Sequence, residues 1–320
     1  MLTVGQEGST LVEIDGGRPI WVVTFSANGE YLVSGDDKAV RVWRVADGEE
    51  VGTMAAYDVR SIAVSKDGRW IAAGTDLGRV IVWDAHTYDR IFTHKERNNT
   101  VRAVDFSPDS TRLVAASGST ASIWDLAAAR EQVLIGPLHH QHRVVAAKYS
   151  PQGDRIVTCA DPGSVQIYDS RSGELLIDIP VNVAVYCNIS LTWSNDGQYL
   201  FVVSDGKIKQ FQVSTRSVVS EWPLRDHKSY ACITLSKHGE FIAYSSNRNV
   251  NFLDTSTSTQ LGQAIKHDQD VHSIALSPDD RFLATSTEDR KITIRCLQDS
   301  LALSSFSVSN CVLSDYSASD

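Results

Sequence analysis

The sequence is short of several things, and each shortage removes a class of protein. No apolar run approaches the ~20 residues that cross a bilayer as a helix. The opening MLTVGQEG has neither a basic n-region nor an apolar h-region. The five cysteines, Cys159, Cys187, Cys232, Cys296 and Cys311, are odd in number, widely spaced and never in Cys-x-x-Cys. A disulfide framework and a zinc knuckle are therefore not implied, and reduced, mostly buried thiols are expected. Positive charge is scarce too: 30 Lys and Arg stand against 39 Asp and Glu, a net charge of -9. That balance argues against general nucleic-acid binding, which needs a broad positive field. There is no G-x-S-x-G, H-E-x-x-H, P-loop or G-x-G-x-x-G. The expectation is a soluble monomer of the cytoplasm or nucleus, with no membrane partner, no metal and no cofactor.

What is present is repetition. With 42% hydrophobic and 22% charged residues the chain can bury a core. Seven times an apolar or aromatic residue is followed by serine: Phe25-Ser26, Val64-Ser65, Phe106-Ser107, Tyr149-Ser150, Trp193-Ser194, Leu235-Ser236 and Leu276-Ser277. The intervals are 39, 42, 43, 44, 42 and 41 residues. Four residues after each anchor stands a turn former: Gly29, Gly68, Ser110, Gly153, Gly197, Gly239 or Asp280. An apolar segment such as YLVSG or RWIAAG follows, then a turn, then an alternating strand such as AVRVW or RVIVW. The third strands end on Trp43, Trp83, Trp124, Tyr168, Phe211, Leu253 and Arg295.

These units resemble the WD40 repeat family, with literal Trp-Asp at Trp83-Asp84 and Trp124-Asp125 and degraded forms at Tyr168-Asp169 and Leu253-Asp254. The resemblance implies an all-β chain, a seven-bladed β-propeller of four-stranded antiparallel blades. The repeats are anchored near 20–48, 59–87, 101–128, 144–172, 188–215, 230–257 and 271–297 of one propeller over 1–300. No four-stranded unit buries both its faces alone, so stacking into a closed ring is the stable arrangement. Outer strands are expected near residues 50–54, 89–93, 174–179, 217–222 and 260–264. Either Thr10–Ile14 or Leu301–Ser307 could complete the last blade; the family's habit favours the N-terminal strand. Residues 301–320, rich in serine, are then a peripheral strand or tail.

The resemblance also implies structural tetrads of His, Ser or Thr, Asp and Trp, which stiffen a blade and do no chemistry. Positions matching them are Ser34, Asp37 and Trp43 in blade one, His140 and Thr158 in blade four, and His267, Thr285 and Asp289 in blade seven. No blade holds all four, so only partial tetrads are expected. In the cluster LHHQHR, His140 is thereby a framework histidine, and His139 and His142 are loop residues beside it.

Function in such a ring is expected on the face built by the loops leading into the innermost strands and by the turns between second and third strands. That face carries Asp36, Asp58, Asp76, Asp161, Asp268, Asp270 and Glu288, six of them in blades seven, one and two. Arg60, Arg102 and Arg143 lie in blades two, three and four, with Trp21, Tyr230 and His272 as stacking candidates. The expectation is a non-catalytic protein-interaction scaffold whose acidic sector binds a basic peptide around Trp21. A second reading is a substrate receptor of a cullin-type ubiquitin ligase, because Tyr168-Asp169-Ser170-Arg171 resembles a W-D-x-R box. An enzyme using the central opening is the third, and it would need titratable groups converging there.

Overall fold

In a computed structural model, described over residues 10–95, 99–126, 132–181, 191–224 and 231–300, the recurring serine closes a hairpin. In all seven repeats its Oγ accepts the backbone N–H five residues on. Trp70 donates to Ser65 at 2.8 Å, Tyr199 to Ser194 at 2.8 Å and Phe282 to Ser277 at 2.9 Å, and the other four pairs lie at 2.9 to 3.0 Å. The serine carbonyl accepts the N–H three residues on, from the turn former. That turn former is left-handed every time: Gly29, Gly68, Gly153, Gly197 and Gly239 at φ 67° to 77°, Ser110 at 59° and Asp280 at 60°. Glycine adopts this conformation without a Cβ penalty.

The two non-glycine residues at this position each serve a neighbour. Ser110 Oγ accepts Asp67 N–H at 3.2 Å, and an Asp280 carboxylate oxygen accepts Lys237 N–H at 2.6 Å. Each bond runs to the hairpin of the preceding blade, so a strained residue is kept where its side chain ties two blades together.

The hairpins build seven four-stranded antiparallel sheets. Blade one is Val22–Phe25, Tyr31–Gly35, Ala39–Arg44 and Glu50–Ala55. Blade seven takes Val271–Leu276, Phe282–Thr287 and Lys291–Cys296, and its outer strand is Thr10–Asp15, paired antiparallel with Lys291–Cys296. The ring therefore closes through its N-terminal strand, as the family's habit implies. The outer strands Glu50–Ala55, Arg90–Lys95, Leu175–Val181, Ser217–Pro223 and Gln260–Lys266 fall within two residues of their expected positions. Residues 301–320, Cys187 and Cys311 lie outside the described residues.

The core sits between blades, where each sheet's apolar face meets its neighbour's. Leu32, Leu113, Ile156 and Leu200 are each 0% exposed. Burying such a side chain is worth about 1.5–3 kcal/mol. The glycines of YLVSG and RWIAAG are explained here. A Cβ on Gly35 would lie 2.5 Å from Val59 Cγ1, and one on Gly74 2.6 Å from Val101 Cγ1. At both junctions a glycine at or next to the end of the second strand lets the next blade's innermost strand approach.

Several expectations need correcting. Cys159 is a free buried thiol, but Cys232 and Cys296 are disulfide-bonded. His139 is the last residue of the strand Gln132–His139, paired with Thr120, rather than a loop residue.

Of the tetrad positions, Trp43 Nε1–H donates to Ser34 Oγ at 2.8 Å inside blade one. Asp37 takes no part in that pair. Its carboxylate is turned outward to Arg18, whose Nη1 donates to both oxygens at 2.9 and 3.1 Å. In blade four Thr158 Oγ1 donates to the Gln166 carbonyl at 3.3 Å. His140 packs edge-on against Tyr168 at 5.9 Å, and its Nε2 is buried with no hydrogen-bond partner among the described residues. In blade seven Thr285 pairs with Thr293 at 2.6 Å, Asp289 accepts from Thr287 at 2.5 Å, and His267 Nε2 is likewise buried and unpartnered among the described residues. Burial holds both imidazoles down to about 4. Neutral rings suit these sites because an imidazolium there would lose its hydration.

Candidate functional site

Counting five residues back from each hairpin serine reaches one position at the loop-face end of the innermost strand, or in blade one the residue just before it. That position is His272 in blade seven, Trp21 in blade one, Arg60 in blade two and Arg102 in blade three. Because the blades are related by the ring, the four side chains stand next to one another. The Trp21 and His272 rings stack at 4.8 Å with 14° between planes. The Arg60 guanidinium lies 4.7 Å from the Trp21 centroid. His272 is oriented by its Nδ1, 3.2 Å from the Ile20 carbonyl. An aromatic pair and a cation–π contact thus run across three blades, each worth about 0.5–1.5 kcal/mol.

The backbone knits this face together. Asp58 N–H donates to the Asp37 carbonyl at 3.2 Å, and Asp76 N–H to the Asp58 carbonyl at 2.9 Å, linking two turns through the loop between blades one and two. On the same loops stand Tyr57, 51% exposed, and Leu77, 49% exposed. Neither was singled out from the sequence, although each adjoins a residue that was, Asp58 and Asp76. Their exposure leaves two large apolar side chains on these loops that a partner could cover. The Lys38 ammonium lies 5.4 Å from the Tyr57 ring centroid.

The carboxylates of this face are largely occupied. Asp36 is 2% exposed; its oxygens accept Lys38 N–H at 2.6 Å, Ala39 N–H at 2.8 Å and Arg41 Nε at 3.0 Å. It is a turn-forming residue inside blade one. Asp76 accepts Arg60 Nε at 2.6 Å, and the second Arg60 contact to Asp76 is closer still. Asp161 holds Arg143 at 3.4 Å, and Asp270 holds Arg248 at 3.6 Å. Asp58 is half-buried at φ 54°, whereas Asp268 and Glu288 are exposed. Tyr230 lies outside the described residues.

Arg102 differs from its arginine neighbours. Its Nε is buried with no hydrogen-bond partner among the described residues. Desolvation, with Arg143 and Arg60 nearby, lowers its pKa, against the pull of Asp76 and Asp161.

Elsewhere, Asp105 and Lys148 line the central channel from blades three and four, beside a cavity of about 210 Å³. Burial raises Asp105 to about 6, offset by Lys148 and by the Tyr149 N–H that its carboxylate accepts at 2.8 Å. Among the described residues no three His, Cys, Asp or Glu side chains gather as metal ligands. At Tyr168-Asp169-Ser170-Arg171, Asp169 Oδ1 accepts Arg171 N–H at 2.9 Å and Ser172 N–H at 2.8 Å. Asp84 and Asp254 make the same turn in blades two and six, so Asp169 is a turn residue of a kind shared by three blades, with Arg171 exposed beside it.

Comparison with known proteins agrees with this architecture. A family model described as the IFT122 first beta-propeller matches residues 19–310. The chain is 24% identical over 272 residues to WD repeat-containing protein 1 of Rattus norvegicus, a match covering 80% of this chain and 44% of that protein. It is 21% identical over 307 residues to eukaryotic translation initiation factor 3 subunit I of Neurospora crassa, covering 87% and 88%. To small ribosomal subunit protein RACK1 of Caenorhabditis elegans it is 28% identical over 187 residues, 58% and 46%. The chain thus spans less than half the length of some curated relatives it matches and most of the length of others. From the matched propeller model and the seven closed blades, the chain belongs to the IFT122 first beta-propeller family, within the WD-repeat propellers.

Proposed function

We propose that this propeller is a non-catalytic scaffold whose loop face binds a protein or peptide partner, in the cytoplasm or nucleus. The observation that carries the reading is the continuous His272–Trp21–Arg60 contact across three blades. Tyr57 and Leu77 stand exposed on loops of the same face. Rigid aromatic and arginine side chains on a face with uncovered apolar side chains are what binding hot spots are made of.

The residues that a catalytic reading would use are otherwise engaged. The seven recurring serine hydroxyls accept hairpin N–H groups, His140 and His267 are buried, and the described residues lining the channel cavity include one carboxylate, Asp105, and one lysine, Lys148. The hydroxyls lining that cavity, on Thr24, Ser61 and Thr234, have no histidine among the described lining residues to act as a base, so no triad forms there.

The finer reading, a basic peptide on the acidic sector, is weakened by the pairing of Asp36, Asp76 and Asp270 with arginines of the same chain. It retains Asp58, Asp268 and Glu288. The ligase-receptor reading rests on Arg171 alone.

Affinity purification followed by mass spectrometry tests the proposal, comparing the wild-type chain with Trp21→Ala/Tyr57→Ala. Partners that the wild type retains and the equally folded double variant loses support the loop face. An unchanged partner set overturns it. In the same experiment an association with ligase subunits abolished by Arg171→Ala would favour the receptor reading instead.

A further inference from the structure

Resting on the loop-face reading, we infer that the segment bound there is acidic, and that Arg102 anchors one of its carboxylate or phosphate groups. Three arginines, Arg60, Arg102 and Arg143, stand in adjacent blades two, three and four on one face. The outer two hold chain carboxylates: Arg60 holds Asp76 at 2.6 Å and Arg143 holds Asp161 at 3.4 Å. The central one has its Nε buried without a partner among the described residues. Among the described residues, Arg102 is the one of the three with no carboxylate paired to it.

A guanidinium stays protonated at neutral pH, so this site cannot relieve its desolvation by losing a proton. Burying an unmatched N–H costs about 1–3 kcal/mol, more when the group is charged. An arriving anion would offset that cost through charge-assisted hydrogen bonds, which are about twice as strong as neutral ones. The desolvation and the repulsion from Arg143 and Arg60 that lower the pKa of Arg102 both disfavour its charge, and the attraction of a negative ligand would offset both.

The neighbouring contacts say how such a segment would lie. Arg60 is held between Trp21 and Asp76, so it stiffens the wall of the site. Tyr57 and Leu77 lie on the side of blades one and two. An acidic group on Arg102 with an apolar residue a few positions away would engage both. The chain's net charge of -9 supplies no long-range attraction for such a ligand, so recognition depends on this local cluster.

Fluorescence anisotropy with the full chain tests this, using labelled octaglutamate, a phosphoserine octapeptide, octalysine and a single-stranded oligothymidylate as probes at low salt. Expected is binding of octaglutamate or the phosphoserine peptide, weakened about tenfold by Arg102→Met and unaffected by Arg171→Met, with unchanged melting temperatures. Binding by the phosphoserine peptide alone assigns the anion as phosphate; binding by both shows that a carboxylate suffices. Equal binding by wild type and Arg102→Met, preference for octalysine, or preference for the oligothymidylate overturns the inference. If the partners captured in the Trp21→Ala/Tyr57→Ala comparison are retained equally by Arg102→Met, the acidic-segment inference fails while the loop face stands. If that comparison shows no loss and the acidic peptides still depend on Arg102, the loop-face reading fails and the anion site stands alone.

Discussion

The Arg60 guanidinium lies 4.7 Å from the centroid of Trp21, and the same indole stacks on His272, so one aromatic side chain joins blades seven, one and two at the loop face. This contact is partly buried and has a measurable coupling. A double-mutant cycle on Trp21→Ala and Arg60→Ala is expected to give an interaction energy of about 0.5–1 kcal/mol in urea unfolding. Strictly additive effects would show that the pair contributes nothing beyond its separate contacts.

The left-handed hairpin residues should separate strain from tethering. Ser110→Gly relieves φ 59° but loses the bond from Asp67 N–H. The two effects nearly cancel, leaving the stability within about 0.5 kcal/mol of wild type. Ser110→Ala keeps the strain and loses the bond, and is expected to cost about 1–2 kcal/mol. Denaturant midpoints of the two variants check the order. A Ser110→Gly variant as unstable as Ser110→Ala would mean that the strain term is negligible.

The blade-junction glycines should resist any side chain. A Cβ on Gly35 would sit 2.5 Å from Val59 Cγ1, so Gly35→Ala is expected to destabilise by about 1–3 kcal/mol through overpacking. Adding Val59→Ala vacates the contacted methyl group and should recover part of that loss. Thermal melts of the single and double variants decide the matter, since a double variant no better than the sum of its singles would place the clash elsewhere.

Stability should fall in mild acid through two histidines. His140 and His267 are held at about 4 in the folded chain by burial, against about 6.5 when unfolded. Between those values the unfolded chain binds more protons, so the contribution is complete above pH 6.5 and is lost as pH falls toward 4. Asp105 and Asp280, raised to about 6 by burial, act oppositely between roughly pH 4 and 6. The comparison that isolates the histidines is therefore His140→Phe/His267→Phe against wild type. The double variant is expected to lose less of its melting temperature between pH 7 and pH 5. Parallel pH profiles would show that neither imidazole titrates with unfolding.

The fold was legible because its signals are local. The serine that closes a hairpin, the left-handed residue three places on and the glycine near the end of a second strand all lie within one repeat, and each has one geometric reason to be there. The outer strands could be located from the spacing alone. The tetrads were less legible: position matched Asp37 to the family's pattern, but its carboxylate turns out to Arg18, and His140 and Thr158 do not meet. The loop-face acids were harder still. Asp36, Asp76 and Asp270 read as an available acidic sector, yet each has an arginine of the chain on it. Tyr57 and Leu77 had no pattern of their own to mark them.

The sequence by itself determined the number of blades, their hairpins, and the strand position that points His272, Trp21, Arg60 and Arg102 toward one face. These follow from backbone conformation and side-chain alternation over a few residues. Only the tertiary structure decided that Trp21 lies between His272 and Arg60, that most of the face's carboxylates are paired, and that Arg102 Nε is left buried without a described partner. Those relations join different blades, and they depend on how closely the ring brings one repeat's side chains to the next.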